Sequence, residues 1–319
     1  MTDQRQIERA GVVGAGLIGR SWAVVFAASG LEVRLCDNDA ARLDDAMHWI
    51  DANIVELADV GILEDASVVR QRVRSIATLD AAIDGADWVQ ECTLEAAEIK
   101  AEVFTKLDRL AAPSAVLASS SSGLAPSTFA SECSGRSRCL VVHPVNPPHL
   151  VPLVEIVPGP WTDVAVVTRA EAFMKRLGQA PIVVRKEIHG FVLNRLQGAL
   201  LDEAFRLVEG GFATAEDVDR CMVDGLALRW SFMGPFETID LNSAGGLAEY
   251  AEKYRSMYFA MHEDRDYDHP WDPATVERIV QDRRQALPAD KLFARQAWRD
   301  RRLMELAAAR RQVVKEGSS

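Results

Sequence analysis

Ala10-Gly-Val-Val-Gly-Ala-Gly-Leu-Ile-Gly-Arg20 sets Gly14, Gly16 and Gly19 in a G-x-G-x-x-G pattern directly after the apolar pair Val12-Val13. A helical segment over 21–29 follows, Gly30 breaks it, and Leu31-Glu-Val-Arg-Leu-Cys36 alternates as a strand does. Asp37 closes that strand, 18 residues after the last glycine. Each piece has a task at a dinucleotide. Gly14 permits a tight turn, Gly16 lets a pyrophosphate approach the backbone, and Gly19 lets helix and strand pack closely. Leu17 and Ile18 complete the loop, and the helix start offers free N–H groups and a partial positive charge to phosphates. An acid at Asp37 accepts from both ribose hydroxyls and repels a 2′-phosphate, so the pattern predicts NAD over NADP.

The rest of the chain fits an enzyme-sized globular protein. Its 319 residues are long for one domain and predict two. Hydrophobic residues make up 48% and charged ones 26%, enough to bury a sizeable core. A net charge of −11 argues against nucleic acid or an anionic membrane surface as partner. No apolar run reaches the length of about 18 residues that a membrane helix needs. The start, Met1-Thr-Asp-Gln-Arg-Gln6, is polar and lacks a signal-peptide core. Cys36, Cys92, Cys133, Cys139 and Cys221 form no C-x-x-C pair and are odd in number. They read as buried thiols of a reducing compartment, which predicts a cytoplasmic location and neither disulfides nor a metal.

Strand-like runs over 11–13, 32–36, 88–92, 115–118, 138–142, 153–157 and 181–184 alternate with helical runs over 21–29, 40–59, 95–110 and 163–177. That alternation predicts an α/β fold, a doubly wound, mostly parallel sheet with helices on both faces. The pattern changes at Lys186-Glu-Ile-His-Gly190. Beyond it, 191–209, 214–223, 246–261, 273–286 and 288–311 carry helical spacing. Residues 1–187 are therefore expected to form a dinucleotide-binding domain and 188–319 an all-helical domain for substrate and dimerisation.

Four segments carry candidate chemistry. Ala118-Ser-Ser-Ser-Ser-Gly-Leu124 and Val141-Val-His-Pro-Val-Asn-Pro-Pro148 both leave strands, where ligands sit in doubly wound sheets. Leu153-Val-Glu-Ile156 holds one acid inside an apolar strand, and Gly190-Phe-Val-Leu-Asn-Arg-Leu196 opens the helical region. Oxidising a secondary alcohol removes a hydride from carbon and a proton from oxygen. Histidine titrates near neutrality, so His143 can take that proton. Glu155, twelve residues on, can hold the other ring nitrogen and stabilise the imidazolium. Ser122 and Asn194 supply donors for the alcohol and the developing oxyanion.

This combination resembles the L-3-hydroxyacyl-CoA dehydrogenase family. The run from His143-Pro-Val-Asn-Pro-Pro to Pro-Leu-Val-Glu-Ile-Val-Pro158 looks closest to its lambda-crystallin branch, the L-gulonate 3-dehydrogenases. The resemblance extends over nearly the whole chain and includes Gly225-Leu-Ala-Leu-Arg-Trp-Ser-Phe-Met-Gly-Pro-Phe-Glu-Thr238. It implies His143 as catalytic base, Glu155 as its orienting carboxylate, and Ser122 and Asn194 at the substrate oxygen. It also implies cofactor contacts at Glu95, Lys100 and Asn146, and a homodimer.

Within that family the open question is whether the substrate carries coenzyme A. Acyl-CoA enzymes offer basic residues to the CoA phosphates from the helix after the second strand. Here 37–65 contains no lysine, and Arg42 is its one strong base. Such a stretch repels a polyanion and favours a small hydroxy acid. Arg229 is the candidate carboxylate clamp, because guanidinium matches carboxylate in bidentate geometry. The alternatives are an L-carnitine dehydrogenase, whose Leu-Arg-Trp…Met-Gly-Pro run is similar, and a short-chain 3-hydroxyacyl-CoA dehydrogenase. A non-enzymatic NAD-binding crystallin is the third.

Overall fold

A computed structural model describes residues 6–263 and 271–316, and the side chains of all of these except 262–263 and 310–316. By their contacts they form two compact units, one running to residue 194 and including the chain from 294 onward, the other covering 195–293.

The first unit begins β1 (Arg9–Val13), α1 (Leu17–Ala28), β2 (Glu32–Cys36), α2 (Ala40–Asp59), α3 (Ala66–Arg72), β3 (Val73–Ser75) and α4 (Leu79–Ile83). It continues β4 (Trp88–Glu91), α5 (Ala97–Leu110), β5 (Val116–Ser119), α6 (Pro126–Phe129) and β6 (Cys139–Pro144). It closes with β7 (Leu153–Pro158), α7 (Val164–Arg176) and β8 (Ala180–Val183). The eight strands form one sheet in the order β3-β2-β1-β4-β5-β6-β7-β8. All pairs are parallel except β6 with β7. This is the expected doubly wound sheet, and the strand order reverses between β1 and β4, where a ligand crevice opens.

The local sequence explains the elements. Asp39 starts α2 by accepting from the N–H groups of Ala41 and Arg42 at 3.0 and 3.3 Å. Leu43, Ala46, Met47, Ile50, Ile54 and Leu57 then recur at helical spacing and are buried. On the strands, neighbouring side chains point to opposite faces and build two cores. Val12, Trp88, Ala118 and Val142 join the core that holds Trp22, Phe26 and Phe173. Val13, Val89, Leu117 and Val141 join the one that holds Phe104, Phe129 and Phe191.

α8 (Leu193–Glu209) leads out of this unit. The second unit contains α9 (Ala215–Arg220), a π-helical turn at Cys221–Leu226, α10 (Ala227–Trp230), α11 (Pro235–Asp240), α12 (Gly246–Glu263) and α13 (Pro273–Ala286). Thr214 and Asp217 cap α9 reciprocally, as the sequence suggests. Among the described residues no strand follows Val183. α14 (Leu292–Glu316) buries Met304 in the first unit's core, with Leu303 packed against it. Cys36, Cys133 and Cys139 are buried thiols as expected, but Cys92 is only half-buried and Cys221 is exposed. No described helix is long and apolar enough to cross a membrane.

Candidate active site

The glycine loop leaves β1 at the crevice. Gly14 has φ +101°, and its N–H is tied to the carbonyl of Cys36 at 2.8 Å. A methyl group there would meet the Cys92 carbonyl at 2.5 Å, and one on Gly19 would meet the Gly14 carbonyl at 1.8 Å. A Cβ on Gly16, by contrast, meets nothing within 4 Å, so the space over this residue is open. Gly16 is the N-cap of α1 and brings no side chain to the helix end. The N–H groups of Leu17, Ile18 and Gly19 begin that helix, which is a cradle fitted to a pyrophosphate. Leu17 is exposed and Ile18 half-buried.

At the tip of β2, Asp37 accepts from the Ala15 N–H at 2.7 Å and, through its other oxygen, from the Asp39 N–H at 3.0 Å. The carboxylate thus braces the glycine loop, and Arg42 stands 4.0 Å from it. A groove of about 1080 Å³ runs past Gly14, Gly16 and Asp37 to the apolar residues Leu79, Ile99 and Val103. Its lining suits a dinucleotide. Gly19→Ala should force helix and loop apart, at a cost of about 1–3 kcal/mol. Fluorescence titration should then show NADH Kd raised about 5- to 150-fold; unchanged affinity would remove the loop from the cofactor site.

The second cluster forms where β6 meets β7. His143 and Glu155 are direct partners in that antiparallel pair, so their side chains share one face. His143 Nδ1 lies 2.8 Å from Glu155 Oε2, with 6% of the histidine and none of the glutamate exposed. Glu155 Oε1 accepts the N–H groups of Val192 and Leu193 at 2.8 and 3.0 Å, just where α8 begins. Burial raises the Glu155 pKa. The bonds from His143, Leu193 and Val192 outweigh it and hold the carboxyl below the usual carboxylate range.

The turn that aims those N–H groups is unusual. Gly190 and Phe191 both take left-handed conformations, at φ +73° and +51°. For phenylalanine this is strained, and strain of this kind persists where surrounding structure over-determines it. Phe191 is fully buried, and its ring packs 5.6 Å from the His143 ring. Sequence reading assigned it no role.

The third cluster is the loop after β5. Glu95 Oε1 gathers the Ser121 hydroxyl at 2.6 Å and the N–H groups of Ser122, Gly123 and Leu124 at 2.9, 3.0 and 3.3 Å. Burial raises the Glu95 pKa, but these bonds and Lys100 bring it below its ordinary value. Asn194 donates to the Ser122 carbonyl at 2.7 Å, joining the loop to the start of α8. Ser122 itself is exposed. Lys100 is not solvated surface. It is 1% exposed and bonds both oxygens of the buried Glu91 at 3.0 Å. Glu91 is a residue that sequence reading passed over.

Three further residues named from the sequence have the following surroundings. Asn146 is exposed on the connection between β6 and β7. Arg229 belongs to the second unit, is exposed on α10, and is near enough to Tyr250 for its charge to act on that phenol. His149 packs on Trp49, and burial pushes its pKa down to about 4, with Arg20 adding to the effect. His269 and the His262 side chain lie outside the described residues. No group of acids, histidines and cysteines among the described residues could hold a metal.

Two family profiles tile this architecture. The 3-hydroxyacyl-CoA dehydrogenase NAD binding domain matches residues 9–188, and the C-terminal domain of the same enzymes matches 190–288. The chain belongs to the 3-hydroxyacyl-CoA dehydrogenase family. It is an NAD-dependent oxidoreductase with the fold described above. A lambda-crystallin homolog of Mus musculus is 41% identical over 95% of this chain and 96% of its own. An L-carnitine dehydrogenase of Streptomyces coelicolor is 36% identical over 80% of each. Among solved structures, an NAD⁺-dependent dismutase, 5-formyl-3-hydroxy-2-methylpyridine 4-carboxylic acid 5-dehydrogenase, superposes with a TM-score of 0.82. It shares 26% identity over 96% of this chain and 98% of that one. These relatives accord with the lambda-crystallin branch that the motifs resemble.

Proposed function

We propose that this protein oxidises the 3-hydroxyl of a small free hydroxy acid, with L-gulonate as first choice, using His143 as general base. The observation that carries the chemistry is the buried His143–Glu155 pair. An acceptor-only carboxylate on Nδ1 requires the proton there, which leaves Nε2 as the nitrogen for the substrate hydroxyl. The proton therefore passes from the alcohol to Nε2, and Glu155 stabilises the resulting imidazolium. Bound in the groove beside β1, NAD would accept the hydride. Ser122 and Asn194 are assigned to the substrate oxygen, with Asn194 also fixing the loop that bears Ser122.

The substrate class rests on charge. The exposed face of α2 carries Asp44, Asp45, Asp51, Glu56 and Asp59 and no lysine, a surface that disfavours a CoA polyphosphate. Arg229 is the proposed carboxylate clamp. Arg229→Met should raise KM about 10- to 150-fold for the free acid, the size of one charge-assisted hydrogen bond. It should alter a neutral ester or amide far less. An NAD⁺-reduction screen over gulonate, carnitine, 3-hydroxybutyrate and 3-hydroxybutyryl-CoA tests the assignment. Faster turnover of the CoA thioester than of every free acid would overturn it and leave the His143 chemistry standing. The carnitine reading is favoured by the partly exposed Trp230 beside Arg229, which suits a quaternary ammonium.

A homodimer and a cytoplasmic location belong to the same reading. Phe212, Leu228, Phe236, Leu241 and Phe259 of the second unit are exposed, apolar surface that a partner subunit would cover. Twofold pairing is the commonest cover. Light scattering should give twice the 35.1 kDa chain mass at micromolar concentration; a single-chain mass would contradict it.

A further inference from the structure

We infer that Ser120 is a positioning residue, the hub of a polar network that fixes the start of the loop bearing Ser122. The inference rests on the proposed role of Ser122 at the substrate. Ser120 follows β5 directly and is half-buried. Its Oγ lies 2.8 Å from Gln90 Nε2, 3.2 Å from Trp22 Nε1 and 3.2 Å from Cys92 Sγ. Trp22 stands on α1, Gln90 on β4, and Cys92 just past the end of β4. The helix that opens the cofactor crevice and the strand beside it thus meet the loop on one hydroxyl.

The donors and acceptors fix every direction in this network. An indole N–H can only donate, so Gln90 Oε1 accepts from Trp88 Nε1 at 2.9 Å and the amide nitrogen faces the other way. That nitrogen has two hydrogens. One goes to Ser120, and the other to the Val142 carbonyl at 3.4 Å, immediately before His143. With Trp22 and Gln90 donating to it, Ser120 Oγ has both acceptor positions filled, and its own proton is left for Cys92 Sγ. Burial pushes the Cys92 pKa up to about 12, so the sulfur keeps its proton and donates it to the backbone carbonyl of Gln90 at 3.9 Å.

Trp22, Trp88 and Gln90 are fully buried. A polar group in such a place costs stability unless it is paired, and an apolar side chain would fill the space without that demand. A network satisfied at every one of these atoms specifies a single arrangement of the elements it joins. Here that arrangement is the approach to the substrate loop. Glu95 holds the far end of the loop through the N–H groups of 122 to 124. Ser120 holds the near end, two residues before Ser122, and Gln90 ties the same hub to the strand that carries His143.

Removing one oxygen separates positioning from packing. With the hydroxy acid that the screen selects, Ser120→Ala should lower kcat about 10- to 100-fold and keep NADH Kd within about twofold, as a small misplacement at a reacting centre does. Ser120→Thr keeps the hydroxyl and should recover most of that loss. On the cofactor-free protein, amides 121–124 should exchange at least about 10-fold faster in Ser120→Ala, while the β1 amides keep wild-type protection. Trp22→Phe takes one donor from the hub, leaves a ring in the core, and should speed the same amides. Ser122→Ala added to Ser120→Ala should cost less than it does in wild type. A lowered Tm with wild-type kcat and unchanged exchange at 121–124 would make Ser120 a packing residue and overturn the inference. So would a loss of NADH affinity with kcat retained, which would assign the hub to the cofactor helix alone. If Ser122→Ala by itself leaves kcat intact, the substrate role of Ser122 fails, and exchange still decides the positioning.

Discussion

His143→Gln is expected to lower kcat by at least about 10²-fold while NADH affinity stays nearly unchanged. The proton-transfer contribution of a positioned base is about 10²–10⁴-fold, so the loss is severe without being total. The structure separates the two readouts. His143 lies one residue before the end of β6 and pairs with Glu155 on β7, whereas the groove assigned to NAD is lined from β1, β2 and α5. Glutamine can still hydrogen-bond to Glu155 and keeps much of the packing under Phe191, so the fold should tolerate it. Steady-state rates with the screened hydroxy acid and a fluorescence titration with NADH check both halves. Near-normal turnover would overturn the assignment of the base.

The fold was legible where residues repeat a physical pattern. Helix α2 reads directly because Asp39 caps it and its apolar residues recur at 3.6 spacing up to Val60-Gly61. The glycine loop reads because each glycine answers a separate steric demand, visible afterwards at Gly14 and Gly19. β3 was not read at all. It has three residues, one of them buried, which is too short for an alternation to register. α4 has five residues and is defined by Thr78 capping and by packing against the sheet. The docking of Met304 into the first core also depends on tertiary contact that no local spacing encodes.

The site divides the same way. His143 before a proline and a lone Glu155 in an apolar strand are conspicuous in one dimension, and chemistry suggests pairing them. What sequence spacing does not contain is the antiparallel register that sets them opposite one another. Phe191 carried no signal because its contribution is a backbone angle. The Lys100–Glu91 pair was not legible: nine residues separate the two, and they lie on different elements, so no helix or strand rule joins them. A lysine on an amphipathic helix suggests solvent or ligand, and only burial shows that it serves two carboxylates.

Glu155→Gln should lower kcat by about 10²–10⁴-fold although it removes only a charge and adds two hydrogens. The carboxylate can only accept, and it does so on both oxygens: from His143 on one and from Val192 and Leu193 on the other. Glutamine must keep its carbonyl oxygen on the two backbone N–H groups, because those donors have to be satisfied. Its amide then points N–H at Nδ1, which must become an acceptor. The ring proton moves to Nε2, and the nitrogen that should take the substrate proton is occupied. The equivalent acid-to-amide change in a serine protease triad lowers kcat by about 10⁴ for this reason. Stability should respond to pH in a matching way. A carboxyl held below its ordinary range in the folded chain stabilises it fully above the unfolded value. That contribution is lost as pH falls through the folded value. The amide variant lacks this ionisation, so its Tm should fall less steeply than wild type on acidification through that window. Loss of turnover with NADH affinity kept and a flatter acid limb would place Glu155 on the histidine. Wild-type turnover in the amide variant would show that His143 does not depend on its partner.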